Sequence, residues 1–179
     1  MTKQASNYFW LQIGSLLFFS SLFLGCNTND FDAKIKQVFR YNEHKNIGSL
    51  DPAFAKDNAD ISAINQLFNG LVQMDSLMNV IPAIASSWHI SENAKVYTFD
   101  LRKDVFFHTH HLFGENQTRS VAAKDFVFSF NRLRDPKLAS PGGWVLQNVE
   151  SYKALNEHRF EITLKSPFPA FLGLLTMKY

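Results

Sequence analysis

Apolar and polar residues alternate along several short segments of the chain, which is the pattern of half-buried β-strands. The alternation is strongest in "KVYTFDLR" (residues 95–102) and "RFEITLKSPFP" (residues 159–169), and "WHIS" (residues 88–91) precedes the first as a hairpin partner. "LVQMDSLMNVIP" (residues 71–82) predicts two shorter strands around a turn, and a further strand is expected over residues 38–42.

Two other segments place apolar residues at the three-to-four spacing of an amphipathic helix. The residues of the first helix are Ile61, Ile64, Leu67, Phe68 and Leu71, and those of the second are Ala122, Phe126, Phe130 and Leu133. Asp60 is predicted to cap the first helix and Gly70 to end it, while the second ends before Asp135-Pro136. Pro82 is expected to open a brief helical turn toward Trp88, which is assigned to the core. Strands and helices together predict a mixed α/β (α+β) class.

Composition limits the functions that this fold is able to serve. A chain of 179 residues with 46% hydrophobic and 15% aromatic residues has enough apolar surface for a real core. The formal net charge is +2 and neither sign forms a long run, so we expect no nucleic-acid partner. No nucleophile motif, phosphate-binding glycine loop or paired carboxylates stand out, and we therefore predict that the protein is not an enzyme and holds no cofactor.

The N-terminus has the order of a secretory signal: Lys3, an apolar run "FWLQIGSLLFFSSLFL" and a small residue before Cys26. Cys26 is the only cysteine, so it has no disulfide partner within the chain. The sequence "LFLGC" resembles a bacterial lipobox, although Leu24 stands where a small residue is usual. The prediction is a lipoprotein signal peptide over residues 1–25, lipidation at Cys26 and a polar tether over residues 26–36. An uncleaved anchor with a free thiol is the alternative.

Seven motifs follow in order along residues 38–175. They are "SLDP" (49–52), "NQLFNGLVQMD" (65–75), "IPAIASSWHIS" (81–91), "VYTFDLRKDVFFH" (96–108), "AAKDFVFSFNRLRDP" (122–136), "LASP" (138–141) and "FEITLKSPFPAFL" (160–172). Together they resemble the N-terminal part of the extracytoplasmic solute-binding proteins of ABC importers, in the family that binds peptides and nickel complexes.

The resemblance implies a two-lobed clamshell that captures a peptide and presents it to ABC permease subunits at a membrane. Residues 37–179 would form the N-terminal portion of the first lobe, without the second lobe, and a truncated, non-transporting remnant of the family is the alternative. In peptide-binding members the loop after "SLDP" runs along the ligand, and matching places that role on Lys56 and Asn58. The position after "ASP" carries an aromatic residue in such members; here it is Gly142, with Trp144 two residues later.

Three of the six histidines, His108, His110 and His111, lie in one loop that replaces the family's Asp-Gly turn. With Glu115 they suggest an open zinc site, and a zinc-binding protein or hydrolase is the alternative function. No metalloprotease spacing such as H-E-x-x-H is present, so we predict no metal site and a surface loop. The loop also leaves Ala122 where a helix cap is expected, unless Ser120 replaces it.

Overall fold

Six strands and three helices make up the region that the computed structural model describes, residues 40–177. The strands are β1 (Val72–Met74), β2 (Val80–Pro82), β3 (Ala85–Ile90), β4 (Val96–Leu101), β5 (Val149–Asn156) and β6 (Arg159–Leu164). The helices are α1 (Asn58–Leu67), α2 (Ala123–Arg134) and α3 (Phe171–Leu174), and 3-10 turns span Pro52–Phe54, His111–Asn116 and Pro141–Leu146. The class is mixed α+β, as predicted.

The strands form two antiparallel sheets, one of two strands and one of four. The larger sheet has the order β3-β4-β6-β5, and β1 pairs only with β2. In the centre of the larger sheet Phe99 lies opposite Phe160 and Tyr97 opposite Ile162. Because side chains alternate across a strand, these four residues share one face of the sheet.

The core lies on that face, where helix α2 covers β5 and β6. Phe99, Phe160 and Ile162 are completely buried. The ring of Phe130, on α2, meets the ring of Phe160 edge-on at 5.4 Å between centroids, and the ring of Phe126 lies 5.6 Å from the same ring. The alternation that predicted β4 and β6 is thus explained by burial of every second side chain.

Helix α1 begins three residues earlier than the sequence predicts. Its N-cap is Asp57, whose side chain accepts hydrogen bonds from the backbone N–H groups of Ala59 and Asp60. Asp60 is therefore not the cap but lies in the first turn, where it is buried. The helix also ends at Leu67, before Gly70 is reached.

Two further predictions of local structure are wrong. Pro82 does not open a helical turn: it ends β2, and the following residues form β3, because pairing with β4 satisfies their backbone groups. Residues 40–42 are not a strand either, since no described strand lies beside them to complete a ladder. Trp88 packs against the core while remaining partly exposed.

Strand β5 was not predicted at all. It forms the edge of the larger sheet, and only Val149 and Tyr152 among its eight residues are shielded from solvent. Its pattern "VESYKALN" has no regular alternation, because an edge strand with one open face needs few apolar side chains.

The predicted signal peptide, the tether and Cys26 lie outside the described residues. Between residues 40 and 177 no helix has both the length and the apolar character that crossing a bilayer requires.

Candidate functional site

The two chain segments predicted to contact a ligand lie side by side, although about 90 positions separate them in the sequence. Lys56 and Asn58 follow the Pro52–Phe54 turn, and Gly142 and Trp144 lie within the Pro141–Leu146 turn. These two 3-10 turns contact each other, and the second also packs against α2. We call them the first and second turn.

Two arginines at the C-terminal end of α2 hold the two turns. The guanidinium of Arg132 donates two hydrogen bonds to the carboxylate of Asp51, at 2.9 and 2.7 Å, and Asp51 is the N-cap of the first turn. Two residues later, Arg134 donates to the backbone carbonyls of Leu146, at the end of the second turn, and of Val149. Cations in the last turn of a helix also interact favourably with its dipole.

The Asp51–Arg132 pair is bidentate and about two-thirds shielded from solvent. The hydrogen bonds from Arg132 hold the pKa of the Asp51 carboxyl below its ordinary value, although burial opposes the shift. Oδ1 of Asp51 also accepts a hydrogen bond from the N–H of Ala53, at 3.1 Å. One carboxylate thus starts the first turn and fixes it to α2.

Asp60 holds the same loop from the other side. It is 3% exposed, and its carboxylate accepts hydrogen bonds from the N–H groups of Gly48 (2.7 Å), Ser49 (3.3 Å) and Lys56 (3.3 Å). The hydrogen bond from Gly48 is the main reason that the pKa of this carboxyl lies below its ordinary value, and burial acts in the opposite direction. Both ends of the segment 48–56 are therefore attached to one buried side chain.

The side chains after the first turn are open to solvent. Lys56 and Asn58 are both exposed, so neither is used to build the core. Lys56 lies in the loop after the first turn, as predicted, whereas Asn58 is the first residue of α1 rather than part of the loop. Their contact with a ligand stays a prediction.

The second turn is packed closely against α2. The hydroxyl of Ser140 caps it by accepting from the N–H of Gly142, and Gly142 is buried. A Cβ atom at Gly143 would lie 2.9 Å from the carbonyl oxygen of Leu133, so the close approach requires glycine. Trp144 is 43% exposed, which leaves a large part of its surface for other contacts. Its role in binding also stays a prediction.

A groove of about 480 Å³ adjoins both turns. Its walls are mainly apolar and include Pro52 and Ala53 of the first turn, Val145 and Leu146 of the second, and Met177. Exposed phenylalanines also lie along it, with Phe128 65% exposed.

Arg119 holds the histidine loop through contacts with two phenylalanine rings, Phe107 and Phe113. The guanidinium of Arg119 lies 4.4 Å from the ring centroid of Phe107 and makes two hydrogen bonds to Asp125, at 2.8 and 2.6 Å. The rings of His110 and His111 stack at 4.2 Å, and both residues are exposed. Across residues 40–177 no three His, Cys, Asp or Glu side chains gather as metal ligands. The zinc hypothesis therefore finds no third ligand in this part of the chain.

The cap position of α2, Ala122, has no side-chain acceptor, and Ser120 does not replace it; Asp125 supplies only the reciprocal hydrogen bond of a capping box. Oδ2 of Asp125 accepts the N–H of Ala122 at 2.8 Å, while Ser120 forms a bridge with Phe106. A carboxylate in the first helical turn suits this position because it accepts an otherwise unpaired N–H.

Comparison with known proteins assigns the family. Residues 79–178, more than half of the chain, match the family model described as bacterial extracellular solute-binding proteins, family 5 middle. The chain belongs to this family. The motif "SLDP", which leads into the first turn, and the motif "NQLFNGL", which begins in the last residues of α1, precede the matched region.

Several family-5 solute-binding proteins are similar over a wider range. The chain is 34% identical over 157 residues to the probable deoxycholate-binding periplasmic protein YgiS of Escherichia coli, which covers 78% of this chain and 28% of that protein. A solved oligopeptide ABC transporter substrate-binding domain from Bacillus anthracis has a TM-score of 0.70 and 30% identity, over 79% of this chain and 29% of that one. DppA from Helicobacter pylori, in complex with the peptide STSA, has a TM-score of 0.63 and 33% identity, over 72% and 27%. The chain thus spans little more than a quarter of the length of these family members.

Sequence reasoning missed the roles of Asp51, Arg132, Arg134 and Asp60 in building the site. Arg132 and Asp51 each lie in a motif, "NRLRDP" and "SLDP", but nothing in the spacing indicated that they pair. Asp60 was interpreted as a helix cap. The available signal was Asp57 three positions earlier, which is an equally good cap and leaves Asp60 for another role.

Proposed function

We propose that the protein captures peptides outside the cytoplasmic membrane and delivers them to the permease of an ABC importer. One observation carries the proposal: in a family-5 chain, Arg132 and Arg134 hold two turns side by side, and the predicted ligand residues follow the first turn and lie within the second. A solute-binding role requires a binding surface that is built before the ligand arrives, because ordering the surface on binding lowers affinity.

Peptides are the ligand class that the relatives favour. One of them holds the peptide STSA and another belongs to an oligopeptide transporter. A protein that accepts peptides of varied sequence must recognise their shared backbone and leave room for side chains. The exposed Lys56 offers a flexible cation, and Trp144 offers an aromatic surface.

The proposal includes an extracytoplasmic location and a lipid anchor. The similar E. coli protein is named as periplasmic, and the sequence at Cys26 is lipobox-like. Acyl chains on Cys26 would hold the protein at the membrane, since two chains bind stably whereas one binds marginally. Mass spectrometry of the N-terminal peptide from the membrane fraction tests this: an acylated Cys26 is expected, and an unmodified thiol would contradict it. We further propose that the protein has no catalytic activity of its own.

The test of ligand capture is thermal unfolding of the full-length protein with and without ligand. A ligand at 100 times its Kd stabilises the folded state by about 2.7 kcal/mol, so a peptide mixture is expected to raise the Tm. Deoxycholate forms a separate arm, because the similar E. coli protein is named for it. A response to deoxycholate alone, or no response to either, would refute peptide capture.

Variants then connect binding to this site. Lys56→Ala and Trp144→Ala are expected to weaken peptide binding in isothermal titration calorimetry. Lys103→Ala is the matched control, since Lys103 is also exposed but follows β4, away from both turns. Equal affinities in all three variants would place the ligand elsewhere on the protein.

A further inference from the structure

The buried carboxylate of Asp60 lies directly below the segment that carries the predicted ligand residues. It is on α1, three residues after the helix cap, and it is the one charged residue among the buried side chains of the described region. A charged group is seldom buried unless several partners compensate for the lost water. Here the partners are three backbone N–H groups, and all of them belong to the segment 48–56.

The hydrogen bonds divide between the two oxygens in a way that spans the loop. Oδ1 accepts from Gly48 and Ser49 at the start of the segment, and Oδ2 accepts from Lys56 at its end. A hydrogen-bonded carboxylate thereby fixes the distance between the two ends. Gly48 itself lies close to the carboxylate, since a Cβ there would be 3.5 Å from Oδ1.

As an acidic residue in the first turn of α1, Asp60 lies at the end of the helix dipole that favours negative charge, but capping of the helix does not require it. The N-cap of α1 is supplied by Asp57, so the helix has its cap without Asp60. The Asp51–Arg132 pair fixes the middle of the loop to α2, and the backbone N–H of Asp51 donates to Oγ of Ser49 at 3.0 Å. Among the described hydrogen bonds, those of the Asp60 carboxylate are the ones that link the start of the loop to its end at Lys56.

We propose that Asp60 is a positioning residue, which keeps the segment 48–56 in the conformation that places Lys56 against a bound ligand. The inference rests on the proposed function. A ligand binds with its intrinsic affinity only when its site is already in the competent conformation, and the apparent Kd equals the intrinsic Kd divided by the fraction of molecules in that conformation. Release of the loop would then weaken binding without removing any residue that contacts the ligand.

The two oxygens allow a graded test. Asp60→Asn keeps one acceptor oxygen, which we expect to remain on Gly48 and Ser49, and places an NH2 group against the N–H of Lys56. Asp60→Ala removes both acceptors. Hydrogen exchange of the full-length protein is expected to show faster exchange at Lys56 alone in the first variant, and at Gly48, Ser49 and Lys56 in the second.

Peptide affinity measured on the same variants tests whether the conformation of the loop controls ligand binding. If the loop is competent in roughly one molecule in ten, Kd rises about tenfold, with the larger effect in Asp60→Ala. The control is Asp75→Asn, because Asp75 also accepts backbone N–H groups, from Leu77 and Asn79, but in the β1–β2 turn. It is expected to leave both Kd and exchange at Lys56 unchanged.

Each outcome separates this inference from the proposed function. Unchanged Kd in the Asp60 variants, together with fast exchange of the loop, would overturn the positioning role and leave peptide capture standing. Unchanged exchange at Lys56 in Asp60→Asn would overturn it as well. A wild-type protein that binds no peptide would overturn the proposed function, and with it the role given to Asp60. Parallel rises in loop exchange and Kd, at unchanged Tm in Asp60→Asn, would support the inference.

Discussion

Removing the ion pair between Asp51 and Arg132 is the most direct test of how the site is built. It joins residues 81 positions apart and connects the first turn to α2. Asp51→Asn keeps an acceptor for the N–H of Ala53 but loses the charge, and Arg132→Met keeps the stem of the side chain but loses the donors. The double variant completes a thermodynamic cycle that isolates the coupling between the two side chains.

The expected coupling free energy between the two side chains follows from the geometry of the pair and its exposure to solvent. Exposed pairs contribute about 0.2–1 kcal/mol, and breaking a fully buried pair costs about 3–5 kcal/mol. Asp51 and Arg132 make two short hydrogen bonds, but their side chains are 34% and 32% exposed, so solvent screens part of the interaction. We therefore expect a coupling of about 1–2 kcal/mol.

Native-state hydrogen exchange measures this coupling locally, at the residues of the first turn, and does not require the whole protein to unfold in one step. The reporters are the N–H groups of Phe54 and Ala55, which donate to the carbonyls of Asp51 and Pro52. A loss of about 1–2 kcal/mol corresponds to exchange about 5–30 times faster. Arg102→Met is the matched control, because the Arg102–Asp104 pair is mostly exposed and is expected to contribute little. Single variants whose effects add within about 0.5 kcal/mol would refute the reasoning.

Three further predictions concern packing and pH. Gly143→Ala is expected to lower the free energy of unfolding by about 1–3 kcal/mol in urea titration, because the new Cβ meets a backbone carbonyl of α2, whereas Gly173→Ala, which meets no atom within 4 Å, is expected to be neutral. Phe160→Ala is expected to lower the free energy of unfolding by about 3–5 kcal/mol in the same assay, since Phe160 is fully buried. A decrease of less than about 1 kcal/mol would contradict the burial of Phe160 in the core. Because the guanidinium partner of Asp51 lowers the pKa of that carboxyl, its contribution is fully present above the ordinary value of 3.8 and is lost as the pH falls through the lower folded-state value. The Tm of Asp51→Asn is thus expected to lie below that of the wild type at about pH 6 and to approach it at about pH 2, and a difference that persists at low pH would contradict this.

Local sequence pattern determined the elements whose formation depends on short-range chemistry. The strands β4 and β6 were predicted because one face of each is fully buried, which forces every second residue to be apolar. Helix α2 was predicted to its last residue, because proline at position 136 disfavours the helical conformation at Asp135. The motifs also predicted the family, which the comparisons confirmed.

Tertiary structure decided the features that depend on a distant partner. The sequence around Asp60 permits either a cap or a buried acceptor, and only the return of the segment 48–56 over α1 makes it the acceptor. β5 forms because β6 offers it a ladder, although its own pattern is weak. Arg132 meets Asp51 only because α2 and the first turn pack together. Hydrogen bonds and ion pairs between distant positions leave no periodic trace in a sequence, since periodicity records only which face of an element is buried.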